Sequence, residues 1–119
     1  MSKYLMIIVE NESAYAEAGE AVFAEVMAEH NAFIEEVTKA GGTVLGGEAL
    51  QPTATATYLR GTRTAAVHTT DNPMPELKEV VGGYYLVEAA DDAAALELAK
   101  LCPAAFGYIE LRPIWELGG

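Results

Sequence analysis

Residues 69–89 read TTDNPMPELKEVVGGYYLVEA, and the fold turns on how this stretch is parsed. It opens on a Thr-Asp-Asn-Pro turn, meets a second proline at 75, and crosses a short charged run. Two glycines then lead into an apolar segment with two tyrosines. Pro73 and Pro75 stiffen the first part, because proline fixes φ and removes a backbone donor. Gly82 and Gly83 let the chain turn without side-chain clash. Gly83 to Ala89 (GYYLVEA) reads as a strand. The stretch is thus a connection of about twelve residues delivering the chain into a strand, and connections that long are more often functional than short ones.

Upstream, Lys3 to Val9 (KYLMIIV) is a nearly continuous apolar run that reads as a buried strand. Glu10 to Ser13 break it, and Asn11 or Ser13 is placed to cap a helix. From about Tyr15 to Ala40 the period becomes helical. Val22, Val26, His30 and Ile34 recur every fourth residue, and Met27, Phe33 and Val37 widen the stripe. Glutamates fill the opposite face. Gly19 marks the beginning of this helix or a weak first turn, and Gly41-Gly42 stop it. A segment from Thr43 to Pro52 follows, broken by Gly46-Gly47. ATATYLRGTRTAAVHT then reads as two strands around a turn at Arg60-Gly61-Thr62-Arg63. Downstream, Asp91-Asp92 cap a short helix from about Ala93 to Leu101. Gly107 to Trp115 is the last strand.

The order is strand, long helix, strand pair, strand, short helix, strand. Two βαβ-like halves around a hairpin predict an α+β ferredoxin-like sandwich, with an antiparallel sheet and both main helices on one face. The other face would be bare, and pairing with a second copy is the simplest way to cover it. A homodimer is therefore expected. The 119 residues fit one domain, 1–119.

Eighteen acidic against seven basic residues give a net charge of −11. That opposes direct nucleic-acid binding, which depends on neutralising phosphates, and docking on an anionic membrane surface. The apolar run near the N-terminus is too short for a membrane span or signal-peptide core, so a cytoplasmic location is expected. Cys102 is the single cysteine and reads as a buried small hydrophobe. No Cys/His set has zinc spacing, and no phosphate-cradling or serine-nucleophile motif is present, so any chemistry is expected to be cofactor-free and metal-free.

Three ordered segments, GGEALQPTATATYLR (46–60), DNPMPELKEVVGGYYLVEA (71–89) and PAAFGYIELRPI (103–114), resemble the YCII-related proteins, specifically the subgroup named for its DGPF motif. That subgroup's D-G-P-F-A-E-T-K-E segment leads within a few residues to G-G-Y-Y. Asp71, Pro73, Glu76, Lys78, Glu79, Gly82, Gly83, Tyr84 and Tyr85 match it, whereas Asn72, Met74, Pro75 and Leu77 depart from it. The resemblance implies a dimeric α+β barrel related to ferredoxin-like folds, with this loop over a cleft. It also implies a histidine and an aspartate as an acid/base pair in that cleft. Members of the subgroup are associated with extracytoplasmic-function sigma factors, which makes a sigma factor a candidate partner.

His30 sits on the apolar stripe. One reading is a core histidine bonded to a backbone carbonyl. The other is the cleft histidine, a general base of near-neutral pKa. Asp71 either starts a turn by bonding the backbone or orients His30 at a strand end beside a long loop. His68 is a weaker substitute for His30. Glu48, after Gly46-Gly47, either lines the same cleft or is solvated. Tyr84 and Tyr85 point to opposite faces, so at most one lines a given pocket. Lys78 and Glu76 read as a charged solvated turn or as ligand contacts. Arg60 and Arg63 read as surface residues, and Arg112 as a partner of Glu110 or Glu88.

Two functions follow as expectations. The first is binding or transformation of a small molecule by cofactor-free His30/Asp71 proton transfer, with Glu48, Tyr84 and Lys78 contacting substrate. The second is a non-enzymatic accessory protein acting on a basic partner such as a sigma factor, with a filled cleft.

Overall fold

The computed structural model describes residues 1–73 and 78–117. Met74, Pro75, Glu76 and Leu77 lie outside them, and with them part of the expected loop motif.

Six strands and three helices run in the order β1 (Ser2–Asn11), α1 (Glu12–Ala18), α2 (Glu20–Lys39), β2 (Thr43–Ala49), β3 (Tyr58–Arg60), β4 (His68–Thr70), β5 (Glu79–Ala89), α3 (Asp92–Ala99) and β6 (Gly107–Pro113). Four strands form one antiparallel sheet in the order β2-β5-β1-β6, while β3 and β4 form a separate ribbon. The fold is α+β, and without the ribbon its element order is βαββαβ; the second strand is β2, which the sequence reading left unassigned, while the hairpin expected as the central strand pair stands outside the main sheet.

Both main helices pack on one face of the sheet. Tyr4, Met6 and Ile8 of β1 and Val87 and Ala89 of β5 form the core with Phe33 and Val37 of α2 and Ala95 and Leu98 of α3. The alternation along β1 explains this choice, because successive side chains point to opposite faces. The other face carries Leu5, Ile7 and Leu86, paired across the strands and only half-buried.

Local signals set most element ends. Asn11 caps α1, its Oδ1 accepting from Ser13 N at 3.0 Å, and Asp91 caps α3 in the same way through Ala94 N at 2.8 Å. Gly41, at φ 91, ends α2 in the left-handed conformation that glycine adopts freely.

Four boundaries differ from expectation. The single long helix is two: Gly19, at φ 88 and ψ 177, breaks it and lets α1 leave the axis of α2. β1 runs on to Asn11 because Glu10 and Asn11 still pair with Val80 and Glu79. β5 starts at Glu79, before Gly82-Gly83, because Gly82 is accommodated as a bulge: Val9 pairs with Val81 and Ile8 with Gly83. The hairpin strands are three residues each, and the turn between them spans 61–67. Gly61 and Arg63, both at positive φ, together with bonds of Thr64 to Gly61, close that turn.

The molecule is a thin slab with extents of 48 × 44 × 18 Å and a radius of gyration of 16.5 Å. A compact chain of this length has a radius of about 13–14 Å. Among the described residues the ribbon is almost wholly exposed, with Leu59 at 56% and Val67 at 48%, so it projects from the body. Among the described residues no helix is long and apolar enough to cross a membrane.

Candidate functional site

The helical stripe read from sequence divides in two. Val26, Phe33 and Val37 enter the core. Met27, His30 and Ile34, offset around the helix and joined by Phe23, which the stripe did not include, instead wall a cavity of about 490 Å³ between α1, α2 and the β2–β5–β1 part of the sheet. Such a size suits a small ligand. The Gly19 break separates α1 from α2, and Tyr15 of α1 joins the wall beside Phe23.

His30 is half-buried in this wall. Its Nδ1 lies 2.8 Å from the Tyr85 hydroxyl. The Tyr85 ring also packs on Phe33, with centroids 4.8 Å apart. Burial lowers the His30 pKa, and the charges of Glu10 and Glu29 offset that only in part, so the imidazole is neutral at neutral pH. Burial also raises the Tyr85 pKa, with a smaller contribution from Cys102. Tyr85 therefore keeps its proton. The Tyr85 hydroxyl and Nδ1 share a hydrogen bond whose direction follows the His30 tautomer: the hydroxyl donates when the ring proton is on Nε2 and accepts when it is on Nδ1.

Gly47 makes room for this pair. It is the cross-strand neighbour of Tyr85. A Cβ there would lie 2.6 Å from the Tyr84 carbonyl oxygen and 2.7 Å from Tyr85 Cδ1. The glycine is needed for close approach.

Behind the histidine lies Glu10, buried at 7% exposure. The Tyr15 hydroxyl is 2.8 and 2.7 Å from its two oxygens, and Phe106 N donates to Oε2 at 3.1 Å. Burial first, then the bond to Glu10 and that carboxylate's charge, push the Tyr15 pKa up. Glu12 also lines the cavity. Its carboxylate accepts from Thr53 N at 2.7 Å and Thr53 Oγ1 at 2.8 Å, pinning the segment after β2 over the opening. Glu10 and Tyr85 thus belong to the cavity wall, and the sequence reading named neither as a site residue. In the sequence Glu10 reads as a strand-breaking charge, and its one visible signal is its parity with Met6 and Ile8 along β1.

The expected residues fare unequally. His30 is in the cavity wall. Asp71 is exposed on the connection after β4, is not among the lining residues, and shares no hydrogen bond with His30. Within the chain, His30 pairs with Tyr85, 55 positions away, and not with Asp71. Glu48 and Tyr84 border the cavity. Because Tyr84 pairs with both Glu48 and Ile7, however, the register assigns their side chains to the face opposite Tyr85. Lys78 is exposed and is not a lining residue. His68 is exposed, its Nδ1–H donating to the Ala66 carbonyl at 2.8 Å. Arg112 forms an ion pair with Glu110. Cys102 is buried, and burial pushes its thiol up to about 12, which removes it as a nucleophile. Among the described residues, no three His, Cys, Asp or Glu side chains gather as metal ligands.

The chain is thus an α+β protein with one antiparallel sheet, helices packed on one face of it and a cavity between the two. The particular family follows from comparison: the YCII-related domain matches residues 2–118, and the chain belongs to that family. No curated protein matches it.

Proposed function

We propose that this protein binds a small molecule in the α2–sheet cavity and moves a proton on it with His30, without a cofactor. The observation that carries this reading is the His30–Tyr85 pair in an otherwise mostly apolar wall. A general base or acid needs a pKa near the working pH and a defined orientation. Burial gives His30 a neutral ring, and Tyr85 fixes its plane. A hydroxyl both donates and accepts, so Tyr85 holds either neutral tautomer. In one tautomer Nε2 offers a proton to a substrate oxygen; in the other it is a free base. Tyr85 takes the orienting role expected of Asp71. Glu48 and Tyr84 remain proposed contacts at the border of the site, and Asp71 and Lys78, on the connection into β5 and outside the lining residues, are proposed contacts only for a ligand that extends beyond the cavity.

The test is a fragment screen read by NMR on the Ile8 and Ile34 methyl groups, followed by proton–deuterium exchange on carbon acids that bind. Shifts at both methyls that vanish in His30→Gln support the reading. Binding that leaves both methyls unmoved removes it. The open cavity supports this reading over the accessory-protein alternative with a sigma-factor partner, which called for a filled cleft.

We also infer a homodimer. Its support is the half-covered sheet face carrying Leu5, Ile7 and Leu86 and the projecting ribbon with its exposed Leu59 and Val67. Light scattering of the wild type and of Leu86→Lys tests it: a monomeric wild type ends the inference.

A further inference from the structure

The charge of the cavity specifies what enters it. Among the described lining residues there is no lysine or arginine, whereas Glu10 and Glu12 both line the space. The Glu10 carboxylate is buried, yet all its partners are neutral: the Tyr15 hydroxyl and the Phe106 N–H. The ion pairs among the described residues, Lys100–Glu97 and Arg112–Glu110, lie elsewhere. Neutral donors satisfy the lone pairs of a carboxylate but leave its charge standing. In a partly dry cavity that field is screened far less than on the surface.

The rest of the wall is apolar and aromatic. Phe23, Met27 and Ile34 line one side and Ile8 and Leu50 the other. The Tyr15 and Phe23 rings meet edge to face with centroids 6.4 Å apart, so they offer two differently oriented π faces near the carboxylate. A phenol donating its proton to a carboxylate has an electron-richer ring, and an ammonium is attracted to such a face.

Resting on the small-molecule reading above, we propose that the ligand is a cationic amine on an apolar or aromatic body, its ammonium held by Glu10 and the Tyr15 ring and its body lying along Met27 and Ile34. An anionic ligand would meet Glu10 and Glu12 with no counter-charge. A neutral imidazole adds none. The same arrangement gives His30 a defined role. Beside an ammonium, Nε2 accepts a proton from the amine in the tautomer whose Nδ1–H donates to Tyr85, leaving a neutral amine and an imidazolium whose charge Glu10 stabilises.

The experiment compares three probes of one shape on the wild-type protein by calorimetry and methyl NMR: phenethylamine, phenethyl alcohol and 3-phenylpropionate. The amine should bind at least about tenfold tighter than the alcohol, and the carboxylate should fail to bind. In Glu10→Gln the amine should lose its advantage while the alcohol is unaffected. If that variant does not fold, Glu12→Gln should narrow the same ratio. Equal binding of amine and alcohol, or binding of the carboxylate, overturns the charge inference while leaving the cavity reading intact. If none of the three moves the Ile8 and Ile34 methyls, both fall.

Discussion

Replacing Tyr85 by Phe isolates the bond on which the site rests. The substitution removes one oxygen and keeps the ring against Phe33. It deletes the 2.8 Å contact to His30 Nδ1. A hydrogen bond of this kind contributes about 1 kcal/mol net, so Tm should fall by about 4 °C for a chain of this length. The sign of a second effect tests the argument more sharply. With the ring proton on Nε2 the hydroxyl donates to Nδ1, and a bond donated to the unprotonated nitrogen stabilises the neutral ring. That reinforces burial, which already lowers the His30 pKa. Removing the donor should therefore move the His30 titration upward. A loss of about 1 kcal/mol corresponds to about 0.7 of a pKa unit. The assay is a pH series of nitrogen-edited NMR spectra of the imidazole, which also reports the tautomer. The wild type should titrate below 6.5 with its proton on Nε2. A downward shift in Tyr85→Phe would mean that Nδ1–H donates to the tyrosine and that the ring proton is not on Nε2. A wild-type ring protonated at neutral pH would remove the basis for proton chemistry altogether.

Three further outcomes follow from the same geometry. Glu10→Ala leaves the Tyr15 hydroxyl and Phe106 N–H without their acceptor, and urea unfolding should record a loss of about 2–4 kcal/mol; a loss under about 0.5 kcal/mol, the range of an ordinary surface substitution, would contradict the burial of Glu10. Gly47→Ala should displace the Tyr85 ring, because the new methyl meets Tyr84 O and Tyr85 Cδ1; unchanged His30 and Tyr85 resonances would count against that packing. Stability should also vary with pH at both ends. The lowered His30 pKa contributes stability that is full above 6.5 and lost as pH falls from there through its folded value. The raised Tyr85 pKa contributes stability that is full below 10 and lost as pH rises through its folded value. Denaturation midpoints that stay flat below pH 6.5 in the wild type, and match those of His30→Gln, would refute the first part.

Much of the fold was legible because it is written in short-range chemistry. The apolar run of β1, the four-residue period of α2 and the cap at Asp91 each depend on neighbours a few positions apart, and each element is present there, with shifted ends at β1 and α2. Gly19 was ambiguous for the same reason: a glycine weakens any helix locally, but only its observed φ of 88 separates α1 from α2. His30 was legible as a residue on an apolar stripe. Its partner was not. The sequence placed Tyr84 and Tyr85 on opposite faces but could not say which face belonged to the helices. That choice rests on the Gly82 bulge. Val81 pairs with Val9 on the far face, and strict alternation from there would carry Tyr85 to the same side. The extra residue reverses the parity, so Tyr84 pairs with Ile7 and Tyr85 turns in beneath α2. Glu10 is a parallel case. Its burial requires Tyr15 from the helix that follows it and Phe106 from 96 positions on, and no local pattern announces that meeting. By itself the sequence determined most of the elements and placed His30 on an apolar helical stripe. Strand register, one bulge and one helix break decided which side chains meet around the cavity, because contacts across the sheet are set by pairing between distant segments and not by the period within any one of them.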